Sequence, residues 1–217
     1  AGPVEWAIAE AQRCARIGLA SVSIPQLVTN RPYDLPEWDP LWAALQELGL
    51  PVAIHVGTGK AMHEVYSRMR HIGGFMLELH CMAHTFADLI WGGVAQRYPK
   101  LRFVSVEAGI GWIAAQFQPW DRMWSDHYTW LQPKLDEPPS FYFKRQFWAT
   151  FERDRAGILT RELLNVDHLL WGSDYPHLEG TFPQSQEMVA KVFAGVPEAE
   201  TRKMVRDNAA ALYNLAV

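Results

Sequence analysis

Three side chains that can bind a metal ion or move a proton stand directly after short apolar segments of the sequence. His55 follows PVAI, Glu107 follows LRFVSV, and Asp174 follows HLLWGS. In parallel α/β sheets, ligands bind at the carboxyl ends of the strands. Imidazole and carboxylate groups are costly to bury unless a partner or a metal ion compensates them. The spacing therefore predicts that these three side chains share one pocket.

Each of the three residues also has a structural explanation. His55 would suit a core position where a backbone carbonyl satisfies its ring, but the small residues that follow it leave room for a ligand. Asp174 would suit the cap of a turn, but its aromatic and histidine neighbours in WGSDYPH favour a working site. The glycines after Glu107, in AGIGW, either let a ligand approach the backbone or simply shape a strand-to-helix turn. Both explanations of Glu107 remain open.

Further candidates lie close to these segments. Trp112 stands just beyond a strand end, where its ring can line a pocket, and His177 shares the loop of Asp174. His80 and His84 are four residues apart in a predicted helix, but no Glu follows His80, so the zinc metalloprotease motif is absent. We expect one of the pair, His84, to face the strand ends. The residues expected to contact substrate are Glu107, Trp112, His177 and His84.

Five apolar segments alternate with helical patterns along the chain. The predicted strands lie in GLASVSIP, PVAIHVG, LRFVSVEAG, RQFWATFE and VDHLLWGSDYPH. The predicted helices cover 3–17, 38–48, a stripe of Phe86, Leu89, Ile90 and Val94, then 110–130, 154–164 and two or three closing turns. This alternation predicts an α/β fold with a parallel sheet, whose strands are apolar because helices cover them. A closed eight-stranded barrel takes ~250 residues, so either the sheet is open or the first part of a barrel lies outside this chain.

Composition excludes several classes of function. The 217 residues are 49% hydrophobic and 20% charged with a net charge of −4, which gives no basic surface for nucleic acid. No apolar run approaches the ~20 residues that span a bilayer, and we predict neither a signal peptide nor a membrane association. Two cysteines are typical of a reducing cytoplasm. Nucleophile-elbow, P-loop and dinucleotide-binding motifs are all absent.

Four stretches resemble the amidohydrolase-related family that includes aminocarboxymuconate semialdehyde decarboxylase and γ-resorcylate decarboxylase. PVAIHVG resembles the fifth barrel strand of that family, which ends in a metal-binding histidine. RYPKLRFVSVEAGIGW resembles the segment leading into the sixth strand, LLWGSDYPH the eighth strand, and MVRDNAAALYNL the closing helix. The resemblance runs from about residue 10 to the end of the chain.

The resemblance implies a distorted (β/α)8 TIM barrel that holds one divalent metal ion, usually zinc. His55 would then be a metal ligand, and Asp174 both a ligand and the catalytic acid or base. Residues 1–217 would form a single barrel domain that contains strands four to eight. The first three strands, with the paired ligands of the first strand, are expected upstream of Ala1. Where the decarboxylases have a histidine after the sixth strand, this sequence has Glu107.

The function that this resemblance implies is a cytoplasmic, metal-dependent enzyme acting on a small carboxylated or cyclic substrate. It would either decarboxylate that substrate or hydrolyse an amide or lactone bond while Asp174 moves the proton. A basic residue at a strand end would favour decarboxylation, and the sequence alone identifies none. The alternative is a catalytically inert barrel that binds a ligand without metal. The aromatic stretch from Trp112 to Trp130 has two explanations. Part of it forms a subunit interface, which predicts a homo-oligomer, or the helix is buried within its own barrel.

Overall fold

The computed structural model describes residues 2–28, 30–59 and 73–216, apart from the side chains of 73–80. Within these residues the strands form one five-stranded parallel sheet in the order β1-β2-β3-β4-β5. The strands are β1 (Val22–Pro25), β2 (Val52–His55), β3 (Phe103–Val106), β4 (Phe147–Phe151) and β5 (Leu169–Trp171). The five apolar segments of the sequence thus each contain one strand.

Each strand pairs with the next strand of the chain, so the sheet winds in a single direction. This is the strand order of successive units in a barrel, whereas a doubly wound sheet reverses its order at a switch point. Pro25, His55 and Val106 are register partners across β1, β2 and β3. The residues that follow them therefore lie along one rim, as the sequence predicts.

Helices connect the strands and follow the last one. They are α1 (Val4–Arg16), α2 (Asp39–Leu48), α3 (Gly73–Trp91), α4 (Val94–Arg97), α5 (Gly111–His127), α6 (Pro139–Gln146), α7 (Arg155–Leu159), α8 (Ser185–Val192), α9 (Glu198–Arg202) and α10 (Asn208–Tyr213). Short 3₁₀ turns cover Pro36–Trp38, Arg161–Leu163 and Val166–His168, and one π-helical turn at Lys203–Asp207 joins α9 to α10.

Helix ends follow the sequence signals in some places and depart from them in others. Gly49, at φ 65°, ends α2 and donates its N–H to the carbonyl of Leu45, as predicted. The predicted stripe of Phe86, Leu89, Ile90 and Val94 is fully buried, but Gly93, at φ 75°, divides it between α3 and α4. The predicted helix over 154–164 likewise ends at Leu159, and a 3₁₀ turn follows.

The two faces of the sheet are covered differently. On one face, Phe103 stacks on Phe147 with ring centroids 5.0 Å apart, within the large core that the helices cover. On the other face, Leu212 of α10 packs with Val104 and Leu170. Packing on both faces fixes the strands, and therefore fixes the positions of the residues that follow them. No helix among the described residues is long and apolar enough to cross a membrane.

Candidate active site

Three predicted residues meet at the carboxyl ends of the strands. His55 is the last residue of β2, and its Nε2 lies 3.0 Å from Oε1 of Glu107, the residue that follows β3. The carboxyl group of Asp174, three residues beyond β5, lies close enough to that of Glu107 to raise the pKa of Glu107. Glu107 thus stands between an imidazole and a second carboxyl group that are 119 residues apart in sequence.

The ring of His55 has a defined proton on one side. Its Nδ1 lies 2.7 Å from the carbonyl oxygen of Val56, and because a carbonyl only accepts, Nδ1 must donate. In the neutral ring, Nε2 then carries a lone pair directed at Glu107. Two acceptors 3.0 Å apart need a proton or a metal cation to compensate them. A backbone bond that fixes the tautomer in this way is typical of histidines that bind metals.

The backbone at both acidic residues adopts a left-handed conformation that is uncommon for residues other than glycine. The φ angle is 63° at Glu107 and 54° at Asp174. Each such residue costs of order 1 kcal/mol or more, and such strain is concentrated at functional sites. The N–H of Glu107 is held by Thr150 Oγ1 of β4 at 2.9 Å, which stabilises the turn.

Burial and mutual repulsion raise the pKa of two carboxyl groups at the rim. Burial raises the pKa of Glu107, as does the carboxyl group of Asp174, whereas the charge of His55 opposes that rise. Glu152, just after β4, has its pKa raised to about 7 by burial first and then by the charges of Asp174 and Glu107. Three carboxyl groups thus share a region in which all three cannot be ionised without cost.

The rim opens into a pocket with a volume of about 770 Å³, the size of a small-molecule site. The ends of β3, β4 and β5 supply most of its lining, which is both acidic and apolar. Its lining residues are Val106, Glu107, Ala108, Gly109, Gly111, Trp112, Thr150, Phe151, Glu152, Arg153, Asp154, Gly172, Asp174 and Glu179.

The glycines after Glu107 have a structural role. Asp154 Oδ2 accepts the N–H groups of Ile110 at 2.7 Å and Gly111 at 2.6 Å, and thereby anchors the start of α5. A Cβ at Gly109 would lie 2.9 Å from this carboxylate, and one at Gly111 would lie 2.8 Å from it. The turn explanation of these glycines therefore has direct support, and Glu107 is presented by a turn that a second carboxylate holds in place.

His177 lies beside Asp174 at the edge of the site. Its Nδ1 is 2.5 Å from Glu179 Oε2 and 3.5 Å from Asp174 Oδ2, and its side chain is exposed. Glu179 itself lines the pocket. His177 therefore lies near two pocket residues, with Glu179 as the closer partner and Asp174 the more distant one.

The predicted contact residues Trp112 and His84 are placed differently. Trp112 lines the pocket, and its indole N–H donates to the carbonyl of Ala108 at 3.0 Å. His84 lies instead in a second cleft of about 670 Å³ between α3 and α5, which shares Trp112 with the first. The side chain of His80 lies outside the described residues, so the predicted division of roles within this pair is not tested.

Sequence reasoning missed the contribution of β4. Glu152 and Arg153 follow the apolar segment RQFWATF and line the pocket. Both residues follow a predicted strand, as His55 and Asp174 do, so the expectation that ligands bind at the carboxyl ends of parallel strands covers them equally. Asp154 carries only a local signal, because an Asp suits the start of the predicted helix, where it accepts the N–H of Gly157 at 2.8 Å. Its bonds to the N–H groups of Ile110 and Gly111, more than 40 residues away, have no comparable signal.

The donor set at the rim fits part of a divalent metal site. Imidazole nitrogen and carboxylate oxygen both bind zinc, and carboxylate oxygen also suits manganese. The lone pair of His55 Nε2 and the carboxyl group of Asp174 both approach Glu107, so one cation there would compensate all three. Within the part of the chain that the structure describes, no group of three or more His, Cys, Asp or Glu side chains forms a metal site by itself.

Comparison with known families gives a match over nearly the whole chain. The profile of an amidohydrolase family, Amidohydro_2, matches residues 2–215. No curated protein matches the sequence.

Solved structures give the second comparison. An amidohydrolase from Mycobacterium avium subsp. paratuberculosis K-10 is 25% identical with a TM-score of 0.81, over 97% of this chain and 54% of that one. A 5-carboxyvanillate decarboxylase from Novosphingobium aromaticivorans, complexed with manganese and 4-hydroxy-3-methoxy-5-nitrobenzoic acid, is 20% identical with a TM-score of 0.76, over 98% and 62%. A dihydroxybenzoic acid decarboxylase from Polaromonas sp. JS666, with bound manganese and the inhibitor 2-nitroresorcinol, is 19% identical with a TM-score of 0.75, over 98% and 66%.

These likenesses identify the fold. The five-stranded sheet is part of a (β/α)8 barrel, which confirms the fold class expected from the sequence. The chain spans less than two thirds of the length of each of these three structures.

Proposed function

Because this chain belongs to the amidohydrolase family, we propose that the protein is a metal-dependent enzyme that decarboxylates a small carboxylated substrate in the pocket at the strand ends. The observation that carries this proposal is the meeting of His55, Glu107 and Asp174 at one rim. Two similar structures are decarboxylases with bound manganese, which favours decarboxylation over other chemistry of the family.

We assign His55 and Asp174 as two ligands of one divalent metal ion, with the remaining ligands outside the described residues. Bound there, the ion would supply Lewis-acid polarisation of a substrate oxygen. Zinc is the ion that the family resemblance implies, and manganese is the ion in the similar structures, so the identity of the metal is part of the test.

The side chains at the rim divide the remaining work. Asp174 gives a proton to the substrate carbon that bears the carboxylate, and a carbon–carbon π bond of the substrate supplies the electron pair of the new C–H bond. The bond from that carbon to the carboxylate then breaks, its electron pair restores the π bond, and carbon dioxide leaves. Glu107, whose carboxyl group lies beside that of Asp174, exchanges the proton with it. His177 orients Asp174, while Trp112 lines the space for the substrate.

The first experiment measures metal content and carbon dioxide release with the full protein. Mass spectrometry should find about one zinc or manganese ion per active site, and 2,6-dihydroxybenzoate and 5-carboxyvanillate serve as trial substrates. Asp174→Asn should lower turnover by about 10² to 10⁴, and His55→Ala should remove the metal. Protein that holds no divalent metal after supplementation would overturn the proposal.

Hydrolysis is the second candidate, because the same residues can serve a water that attacks an amide or lactone carbonyl while Asp174 takes its proton. Assays with aromatic lactones and amides separate the two reactions. The catalytically inert alternative gains no support from the family match or from the similar structures.

The remaining expectations belong to the same proposal. We propose one barrel domain over residues 1–217 that contains strands four to eight, a cytoplasmic location, and a homo-oligomer. The aromatic stretch supports the homo-oligomer in part. Trp130 is 67% exposed and so is available for a subunit interface, whereas Phe117 is buried.

A further inference from the structure

One positively charged side chain lines a pocket whose other charged side chains are all acidic. Among the described residues that line the pocket, Arg153 carries the only positive charge, whereas Glu107, Glu152 and Asp174 are carboxylic acids. Such a lining repels anionic molecules everywhere except near the guanidinium group. An anionic ligand that enters is therefore oriented with its negative charge towards Arg153.

The guanidinium of Arg153 is held in place and still has donors to offer. One terminal nitrogen donates to the carbonyl of Gly180 at 2.8 Å, which ties the side chain to the loop after β5. Within the described residues it forms no ion pair with a carboxylate, although its charge lowers the pKa of Glu152. A guanidinium has five N–H donors, so a ligand can still bind it in the bidentate manner that carboxylates favour.

A second cleft next to Arg153 is basic. Arg153 lines a neighbouring cleft of about 470 Å³ together with Arg155, Lys191, Met188 and Val192, and none of the described residues that line this cleft is acidic. Arg155 donates to the carbonyl of Val192 at 2.8 Å. The positive charges of Arg155 and Lys191 reinforce the attraction of an anion to the wall that the two clefts share.

We propose that Arg153 is the specificity-determining residue that binds a carboxylate which the substrate keeps during the reaction. This inference rests on the proposed function and narrows its substrate class to molecules with a second carboxylate. The leaving carboxylate is excluded because an ion pair with arginine stabilises its negative charge, whereas decarboxylation converts that group to neutral carbon dioxide.

The test compares a carboxylic acid with its neutral amide. Calorimetry measures the binding of 4-hydroxy-3-methoxy-5-nitrobenzoic acid, benzoic acid and phthalic acid, each against the corresponding primary amide, to the full protein loaded with manganese. We expect at least one acid to bind about tenfold more tightly than its amide, and Arg153→Met to abolish that preference while leaving the binding of the amide unchanged. Arg153→Lys should restore part of the preference, because lysine keeps the charge but not the bidentate geometry.

Arg155→Met is the matched control, since Arg155 lines the neighbouring cleft but not the pocket. It should reduce the preference for the acid less than twofold. Equal binding of every acid and its amide by the unaltered protein would overturn the proposal, and so would an equal loss in both methionine variants. Metal content is measured separately in each sample. A protein without metal that still prefers the acid contradicts the proposed function and supports the role of Arg153.

Discussion

At the residue scale, the site is governed by where the protons and the charges of its acidic groups lie. His55 has one nitrogen committed to the carbonyl of Val56 and the other directed at Glu107. Glu107 in turn lies beside Asp174, whose carboxyl group raises the pKa of Glu107. A change at any one of these three groups therefore alters the other two, and substitutions at the rim should not be additive.

The substitution Asp174→Asn tests the proton transfer. The amide keeps the size of the side chain but cannot give up a proton as a carboxylic acid does, so kcat should fall by about 10² to 10⁴. Carbon dioxide release under saturating trial substrate measures this. His177→Gln is the comparison variant. Because His177 is proposed to orient Asp174 but not to give the proton itself, this substitution should lower kcat less. Equal losses in the two variants would contradict the assignment.

The substitution Glu152→Gln tests the pKa of about 7 at Glu152. Since folding raises this pKa above its ordinary value of 4.5, the folded protein binds the extra proton, and stability falls as pH rises through about 4.5 to 7. The free energy of unfolding of the glutamine variant should equal that of the unaltered protein near pH 4.5 and exceed it above pH 7. Urea unfolding at a series of pH values, with metal removed by a chelator, measures the difference.

Glu162→Gln is the control for this prediction, because Glu162 is 83% exposed and its only described ion pair is a long one of 4.0 Å with Arg161. The contrary result is that the Glu152 variant and the unaltered protein differ in free energy of unfolding by the same amount at every pH. That result would show that burial does not raise the pKa of Glu152.

At the element scale, the sequence predicts strands well and loops poorly. The strand residues preceding His55, Glu107 and Asp174 are apolar because both faces of the sheet are covered, so alternation with helices was enough to find them. The breaks within predicted helices, such as the one at Gly93, depend on a single backbone conformation that periodicity does not register. The bonds from Asp154 to Ile110 and Gly111 join distant segments, and no local pattern announces them.

The substitution Asp154→Ala tests this anchor between elements. It leaves the N–H groups of Ile110, Gly111 and Gly157 without their side-chain acceptor, so the free energy of unfolding should fall by about 2 kcal/mol or more. Urea unfolding measures the loss. Asp126→Ala, on the exposed surface of α5, should change stability by less than about 0.5 kcal/mol. A similar small change in both variants would show that the anchor does not stabilise the fold.

At the scale of the whole molecule, the candidate site depends on the sheet more than on any one loop. β2, β3 and β5 each contribute one residue to the rim, and β4 contributes the neighbouring Glu152 and Arg153. The sequence predicted the family and the fold class, and it placed His55, Glu107 and Asp174 at strand ends. It did not predict how the residues meet, because the distance from His55 to Glu107 and the left-handed backbone at Glu107 and Asp174 are set by packing and not by local sequence.

Metal binding should stabilise the whole fold, since a ligand that binds only the folded state raises its apparent stability. Manganese or zinc at 100 times its Kd should add about 2.7 kcal/mol to the free energy of unfolding. Thermal unfolding with and without metal measures the gain. His55→Ala should lose most of it, whereas His127→Ala, at the end of α5 and away from the rim, should keep it.

The most direct test of the central claim is anomalous diffraction at the manganese edge from crystals of the manganese-loaded protein. If His55 and Asp174 hold one divalent cation, a single anomalous peak will lie at bonding distance, about 2.0–2.2 Å, from His55 Nε2 and from a carboxylate oxygen of Asp174. A peak elsewhere, or a His55 ring that stays paired with Glu107 alone while manganese is present, would contradict the assignment.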